Sequence, residues 1–271
     1  MNPYSRVRAG EWLAFDLADV MECGSACQLT DHFEEAQTKQ MGRELSVYRS
    51  DDKSEHTLAA EDDRPLLIAR TVGERDADIY IATGGDPPCA MGPAFRLRSN
   101  AAGNQWELCS EHCDGCRYCP PARLPSSEKG GRRTLLRIRH EKVAVGKGFA
   151  MSMELDMPAE GNVWCQLCGD HDRQGCTQEE VSKGSTTTKL TTRLPKWNAK
   201  LDSLALDFKG RCCVASARNF QLIQGEAVAA TVNDTVLQFG KMGTGAYSLE
   251  FKGPLGPVQA FAAALATAQW Q

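Results

Sequence analysis

Between Glu44 and the end of the chain, apolar and polar residues follow each other in short, roughly alternating runs broken by turn residues. Leu45–Arg49, His56–Ala60, Leu66–Thr71 and Asp78–Thr83 each have the length and two-residue period of a strand. The charged or turn-rich pieces S-D-D-K-S, E-D-D-R-P and G-E-R-D separate them, and G-G-D-P-P-C-A-M-G-P reads as a loop. Pro93–Leu108 predicts a hairpin, and R-R-T-L-L-R-I-R-H-E-K-V-A-V-G-K-G-F-A-M-S-M-E-L-D-M-P predicts two further strands. Gly161–Thr192 is polar and reads mainly as loop, with S-T-T-T-K-L-T-T as a candidate strand.

One segment breaks this pattern. Pro254–Ala268, P-L-G-P-V-Q-A-F-A-A-A-L-A-T-A, is built of strong helix formers and has almost no polar face. Pro257 suits the first turn, where its missing N–H is not needed. A helix apolar all round is enclosed by protein or lies in lipid, and this one falls short of the roughly 20 apolar residues of a membrane span. The short strands are the candidate enclosure. The first forty residues differ again. Trp12, Leu13, Phe15, Leu17, Val20 and Met21 suit a short amphipathic helix, and Asp31–Met41 a second one, with D-H-F-E as a capping box and Gly42 as a stop.

Four ordered blocks carry a resemblance. They are R-L-P-K-W-N-A-K-L-D-S-L-A-L-D-F-K-G-R (Arg193–Arg211), A-S-A-R-N-F-Q-L (Ala215–Leu222), V-L-Q-F-G-K (Val236–Lys241) and L-E-F-K-G-P-L-G-P-V-Q-A-F-A (Leu249–Ala262). Together with A-F-R-L-R-S-N-A-A-G-N-Q-W and the arginine-rich block from Arg132, they resemble the carboxy-terminal domain of the tubby and tubby-like proteins. The likeness runs from about Leu45 to Ala268. It implies a mainly β fold, a closed antiparallel barrel of about twelve strands around a buried hydrophobic carboxy-terminal helix. The expected division is residues 1–43 as an amino-terminal segment that carries the two candidate helices, and 44–271 as the tubby-like domain. A plant-type F-box is not expected in so short an amino-terminal segment.

Composition narrows the function. A net charge of −4 argues against a protein that coats nucleic acid, although it allows a local basic patch. The first residues lack an apolar signal-peptide core, so a cytoplasmic protein is expected. Among twelve cysteines, C-S-E-H-C-D-G-C-R-Y-C (Cys109–Cys119) and C-Q-L-C-G-D-H-D-R-Q-G-C (Cys165–Cys176) contain zinc-type C-x-x-C pairs with a histidine nearby. Both fall in loop regions where the resembled family needs no zinc, so loop thiols open to acylation or oxidation are the expectation, with no cofactor. No G-x-S-x-G elbow, P-loop or H-E-x-x-H is present, and a Cys113–His140 pair is the nearest approach to a catalytic set.

Arg96 and Arg98 are the leading candidates for binding. Two residues apart on a strand, they share a face, and guanidinium matches phosphate with paired hydrogen bonds. The resemblance implies that these positions grip the head group of phosphatidylinositol 4,5-bisphosphate and that Arg132 supplies a third contact. Arg133, Arg137 and Arg139 add charge in the same strand, with Arg133 a further site candidate. Asp78, the nearest match to the family's head-group asparagine, puts a carboxylate where phosphate would sit. The implied protein is a non-enzymatic phosphoinositide-binding adaptor. It would be monomeric and peripheral at the plasma or ciliary membrane, with ciliary trafficking proteins or membrane-protein cargo as partners. The alternative is a protein-interaction module that has lost lipid binding and holds a structural zinc in its cysteine-rich loops.

Overall fold

A computed structural model describes residues 43–60, 62–82, 92–111, 132–159, 162–166, 169–172, 187–208, 214–224 and 234–270. The two amino-terminal helices expected above, and most of the cysteine-rich segments, lie outside the described residues. The strands in chain order are β1 (Arg43–Arg49), β2 (Glu55–Ala59), β3 (Pro65–Val72), β4 (Asp76–Ile81), β5 (Phe95–Ser99), β6 (Gln105–Ser110), β7 (Arg133–Val145) and β8 (Gly148–Pro158). There follow β9 (Asn162–Cys165), β10 (Gly169–Asp172), β11 (Thr187–Thr192), β12 (Lys196–Asn198), β13 (Ser203–Ala205), β14 (Phe220–Gln224), β15 (Thr235–Gly243) and β16 (Ala246–Phe251). A helix, α1 (Pro257–Ala266), and a 3-10 turn (Thr267–Gln269) follow the strands.

Twelve strands form a ring in the order β7-β6-β5-β4-β3-β2-β1-β16-β15-β14-β11-β8, and the β7–β8 pairing closes it. Every pairing is antiparallel, as short hairpin connections favour. The ring has no free edge, which removes the hazard of unpaired strand backbone. Hairpin β9–β10 extends outward from the start of β7, and β12–β13 forms a separate two-stranded piece. The four strands expected in residues 45–83 all form, to within two residues of most of their expected ends. S-T-T-T-K-L-T-T contributes β11, but β9 and β10 form within a segment read as loop. They are only four residues each, too short for a two-residue period to register.

The alternation read from the sequence sorts the strands into faces. Ala77, Ile79, Phe95, Leu97, Trp106, Leu108, Leu222, Leu237, Phe239, Leu249 and Phe251 are buried in one continuous core. A barrel of this strand number is wide enough to take more than its own side chains. Helix α1 fills the space: every residue from Pro257 to Ala266 is buried, and its five alanines let the surrounding side chains approach closely. Gly256 caps its start, and the Gln259 side chain turns back to accept the Gly256 N–H at 3.0 Å. The one polar side chain within this helix is thereby satisfied.

At the other end, Arg218 closes the helix from inside the barrel. Its Nη2 donates to the Ala264 carbonyl (3.4 Å), its Nε to Thr267 Oγ1 (3.3 Å) and its Nη1 to Tyr247 Oη (3.1 Å). The guanidinium also stacks over the Tyr247 ring at 4.7 Å. A cation at the carboxyl end of a helix complements the helix dipole. Trp270 then plugs the same end, its indole N–H donating to His140 Nδ1 at 3.0 Å. Burial pushes the His140 pKa down to about 4, so the ring stays neutral and keeps the lone pair that accepts this bond. Gly146, in the β7–β8 turn, has φ 58°, and a Cβ there would lie 2.7 Å from Trp197 Cβ. Trp197 of the P-K-W-N block thus clamps the β12–β13 hairpin onto that turn, where only glycine fits.

Candidate functional site: an arginine–carboxylate cluster on the barrel wall

On the outer face of β4, Asp76 and Asp78 alternate with buried Ala77 and Ile79; on β5, Arg96 and Arg98 alternate with buried Phe95 and Leu97. Registers set the rows. One runs Glu55–Arg70–Asp78–Arg96 across β2, β3, β4 and β5, and the next runs Arg98–Glu107–Arg137–Asp156–Lys189 across β5, β6, β7, β8 and β11. Sign alternates at each step, so every charge faces opposite charges across the strands. Arg70–Glu55 and Arg137–Glu107 in these rows lie at 3.3 Å, and the neighbouring pair Arg139–Glu154 at 3.2 Å. They stand in water, where each pair contributes at most about 1 kcal/mol.

The three expected arginines share this face but not one environment. Arg98 is pinned against the sheet. Its Nη1 donates to the Ala77 and Leu97 carbonyls (2.9 and 3.1 Å), its Nη2 to Asp78 Oδ1, and its Nε lies 3.8 Å from Asp76 Oδ2. Arg96 Nε sits 2.8 Å from Glu111 Oε1 and 4.0 Å from Asp78 Oδ1. Arg132 Nε lies 3.7 Å from the same Glu111 oxygen, and its side chain is 46% exposed, more than Arg96 at 33% or Arg98 at 35%. Asp78, expected to face the ligand, lies between Arg96 and Arg98. Three guanidiniums and three carboxylates (Asp76, Asp78 and Glu111) therefore form one cluster. Beside it the same wall carries a groove of about 480 Å³, lined by Arg98, Glu107, Arg137, Arg139, Glu154 and Asp156 among others.

Arg133 stands apart, with 4% of its surface exposed. The register explains this. Leu108 faces Leu136 while Cys109 faces Thr134, so Leu135 is an extra residue on β7, and both leucines are buried. Such a bulge reverses the alternation on its far side, turning Arg133 away from the face that carries Arg137 and Arg139. Two acidic members of the cluster, Asp76 and Glu111, were not anticipated. The available signal was parity: Asp76 is two residues from Asp78, and Glu111 two residues from Cys109, the residue paired with Arg96.

Cysteine chemistry is constrained where it is described. Cys109 is buried, and its thiol is pushed up to about 11, first by burial and then by the neighbouring Glu107 carboxylate. It is a poor thiolate, nucleophile or metal ligand at neutral pH. Cys165 is also buried. Among the described residues no group of three or more His, Cys, Asp or Glu is placed to hold a metal ion. Cys113, Cys116, Cys119, Cys168 and Cys176 lie outside the described residues, as does half of the Cys113–His140 pair. Among the described residues no helix is long and apolar enough to cross a membrane.

A closed twelve-strand barrel threaded by its own carboxy-terminal helix, with paired arginines on one outer strand, defines a tubby-type domain. Residues 48–269 match the Tub family, and the chain belongs to that family. Among curated proteins it is similar to Tubby-like F-box protein 11 of Oryza sativa subsp. japonica, 32% identical over 94 residues, covering 34% of this chain and 23% of the relative. It is also similar to Tubby-like F-box protein 6 of Arabidopsis thaliana, 35% identical over 86 residues, covering 29% and 21%. Tubby-like F-box protein 5 of Oryza sativa subsp. japonica is 37% identical over 81 residues, covering 28% and 19%. The chain thus spans less than a quarter of the length of these relatives.

Proposed function

We propose that this tubby-domain chain is a non-enzymatic adaptor that binds phosphatidylinositol 4,5-bisphosphate at the cytosolic face of the plasma or ciliary membrane and serves membrane-protein trafficking. One observation carries the reading: Arg96 Nε and Arg132 Nε both face one oxygen, Glu111 Oε1, at 2.8 and 3.7 Å. That point on the barrel wall is a position where an anionic oxygen meets two guanidiniums. Arg98 stands on the far side of Asp78 from Arg96, as the third guanidinium of the same cluster. Charge-assisted hydrogen bonds of this kind contribute roughly 1.5–3 kcal/mol each.

The test is sedimentation with vesicles of neutral lipid, with and without phosphatidylinositol 4,5-bisphosphate, at low and at physiological salt. Wild-type protein should bind only the vesicles that contain the phosphoinositide, less strongly as salt rises, and the Arg96→Ala/Arg98→Ala pair should lose at least about tenfold in binding. A second reading rests on the one-to-one balance of arginines and carboxylates in the cluster, which lowers its attraction for anions. In that reading the barrel is a protein-interaction module without lipid binding. Wild-type protein that ignores the phosphoinositide vesicles at low salt favours it.

A further inference from the structure

We infer that Glu111 is a built-in phosphate surrogate that occupies the arginine site and restricts it to polyanionic head groups. The inference rests on the phosphoinositide reading above, and it adds a residue and a selectivity which that reading lacks.

The geometry puts the carboxylate in the ligand's place. Glu111 follows β6, and its own N–H donates to the Ala94 carbonyl at 3.1 Å, so the backbone is held in the β5–β6 ladder beyond the last paired residues. Arg132 is held too, its carbonyl accepting the Gln166 N–H at 2.8 Å. The backbone at both residues is thus fixed. Between them one oxygen, Glu111 Oε1, contacts both guanidiniums, and the Glu111 side chain is only 18% exposed.

The contact is close but poorly directed. Arg96 Nε and Glu111 Oε1 are both buried atoms that make no hydrogen bond of ordinary geometry among the described residues, although they lie 2.8 Å apart. Glu111 therefore holds Arg96 by charge, with the directional part of the interaction unused. A buried N–H of this kind gains from any acceptor that meets it in line. A phosphate has more charge than a carboxylate and oxygens in three directions, so it can satisfy Arg96 and Arg132 together. A head group with a single weak charge offers no gain over the carboxylate already present. Glu111 thus sets a threshold: vicinal phosphates displace it, and a monoanionic head group does not.

The experiment compares wild type with Glu111→Gln, Glu111→Asp and Glu141→Gln on three vesicles: neutral lipid alone, neutral lipid with phosphatidylserine, and neutral lipid with phosphatidylinositol 4,5-bisphosphate. Soluble inositol 1,4,5-trisphosphate serves as the lipid-free probe, separating head-group recognition from general membrane attraction. Glu141→Gln changes net charge equally but lies farther along β7, across from Ser152 and outside the cluster and the groove. Glu111→Gln should bind the phosphoinositide and the soluble head group about five- to tenfold more tightly and acquire binding to phosphatidylserine, while Glu141→Gln stays within about twofold of wild type. Glu111→Asp keeps the charge but withdraws it by one methylene; it should fall between wild type and Glu111→Gln, and it carries the test if the glutamine variant does not fold. Wild-type binding unchanged or weakened in both Glu111 variants overturns the surrogate and leaves the lipid reading standing. An equal gain in Glu141→Gln also overturns it, since bulk charge would then be the cause. If neither wild type nor any Glu111 variant binds, both this inference and the lipid reading fail.

Discussion

The molecule holds arginine in two contrasting ways. Arg218 lies inside the barrel, where a helix carbonyl, two hydroxyls and an aromatic ring hold it in place. Arg96, Arg98 and Arg132 lie on the outer wall, each against carboxylates and partly in water. Inside, the charge survives because each guanidinium nitrogen has a fixed acceptor, and burial lowers the Arg218 pKa from its usual range. Outside, the pairs contribute little to stability and can exchange partners. The inner arginine therefore belongs to folding, and the outer ones are the candidates for binding.

The strongest break in this contrast is inside. Phe261→Asp puts an unpaired charge at the centre of a helix buried on every side, and should leave no folded protein by circular dichroism or gel filtration. Arg218→Ala removes the guanidinium's bonds to the Ala264 carbonyl and to the Tyr247 and Thr267 hydroxyls, and should lower stability in urea by about 2–4 kcal/mol. Arg96→Ala on the wall should lower it by less than about 1 kcal/mol.

The buried histidines sharpen the inside further. His56 and His140 are both driven down to about 4, the first mainly by burial and then by Arg218 and Arg49, the second by burial. Between pH 6.5 and about 4 the unfolded chain binds protons there that the folded barrel refuses, so stability rises with pH across that window. It is fully present above pH 6.5 and falls as pH drops toward 4, by up to a few kcal/mol for each ring. Urea midpoints measured at pH 7 and pH 5 should show the loss, and protonated His140 can no longer accept from Trp270. Asp78→Asn is the mildest change proposed. It removes one carboxylate beside Arg96 and Arg98 and should tighten phosphoinositide binding about two- to fivefold, with little effect on the urea midpoint.

What was legible in the chain follows the same division. The threaded helix was plain because Pro254–Ala268 has no polar side to offer water, and β1–β8 and β14–β16 were marked by alternation, turn residues or the four family blocks. Short β9 and β10 gave too few residues for any period. Two-residue spacing placed Arg96 and Arg98 on one face correctly, because β5 is regular. The same rule failed for Arg133, since the bulge at Leu135 reversed its side, and a bulge leaves no mark in an arginine–leucine run. Glu111 was missed because its role depends on strand register and on a residue, Arg132, 21 positions along the sequence. Arg218 sits in the A-S-A-R-N-F-Q block, but nothing in that text shows that the residue faces the end of the buried helix.

The most direct test of the outer wall as a phosphoinositide site is a calorimetric titration of folded protein with soluble inositol 1,4,5-trisphosphate at low salt. Wild-type protein should bind with one site per chain, and the Arg96→Ala/Arg132→Ala pair, with an unchanged urea midpoint, should show no binding heat. Equal binding by wild type and the pair, or none by either, would contradict the assignment of the head-group site to Arg96 and Arg132.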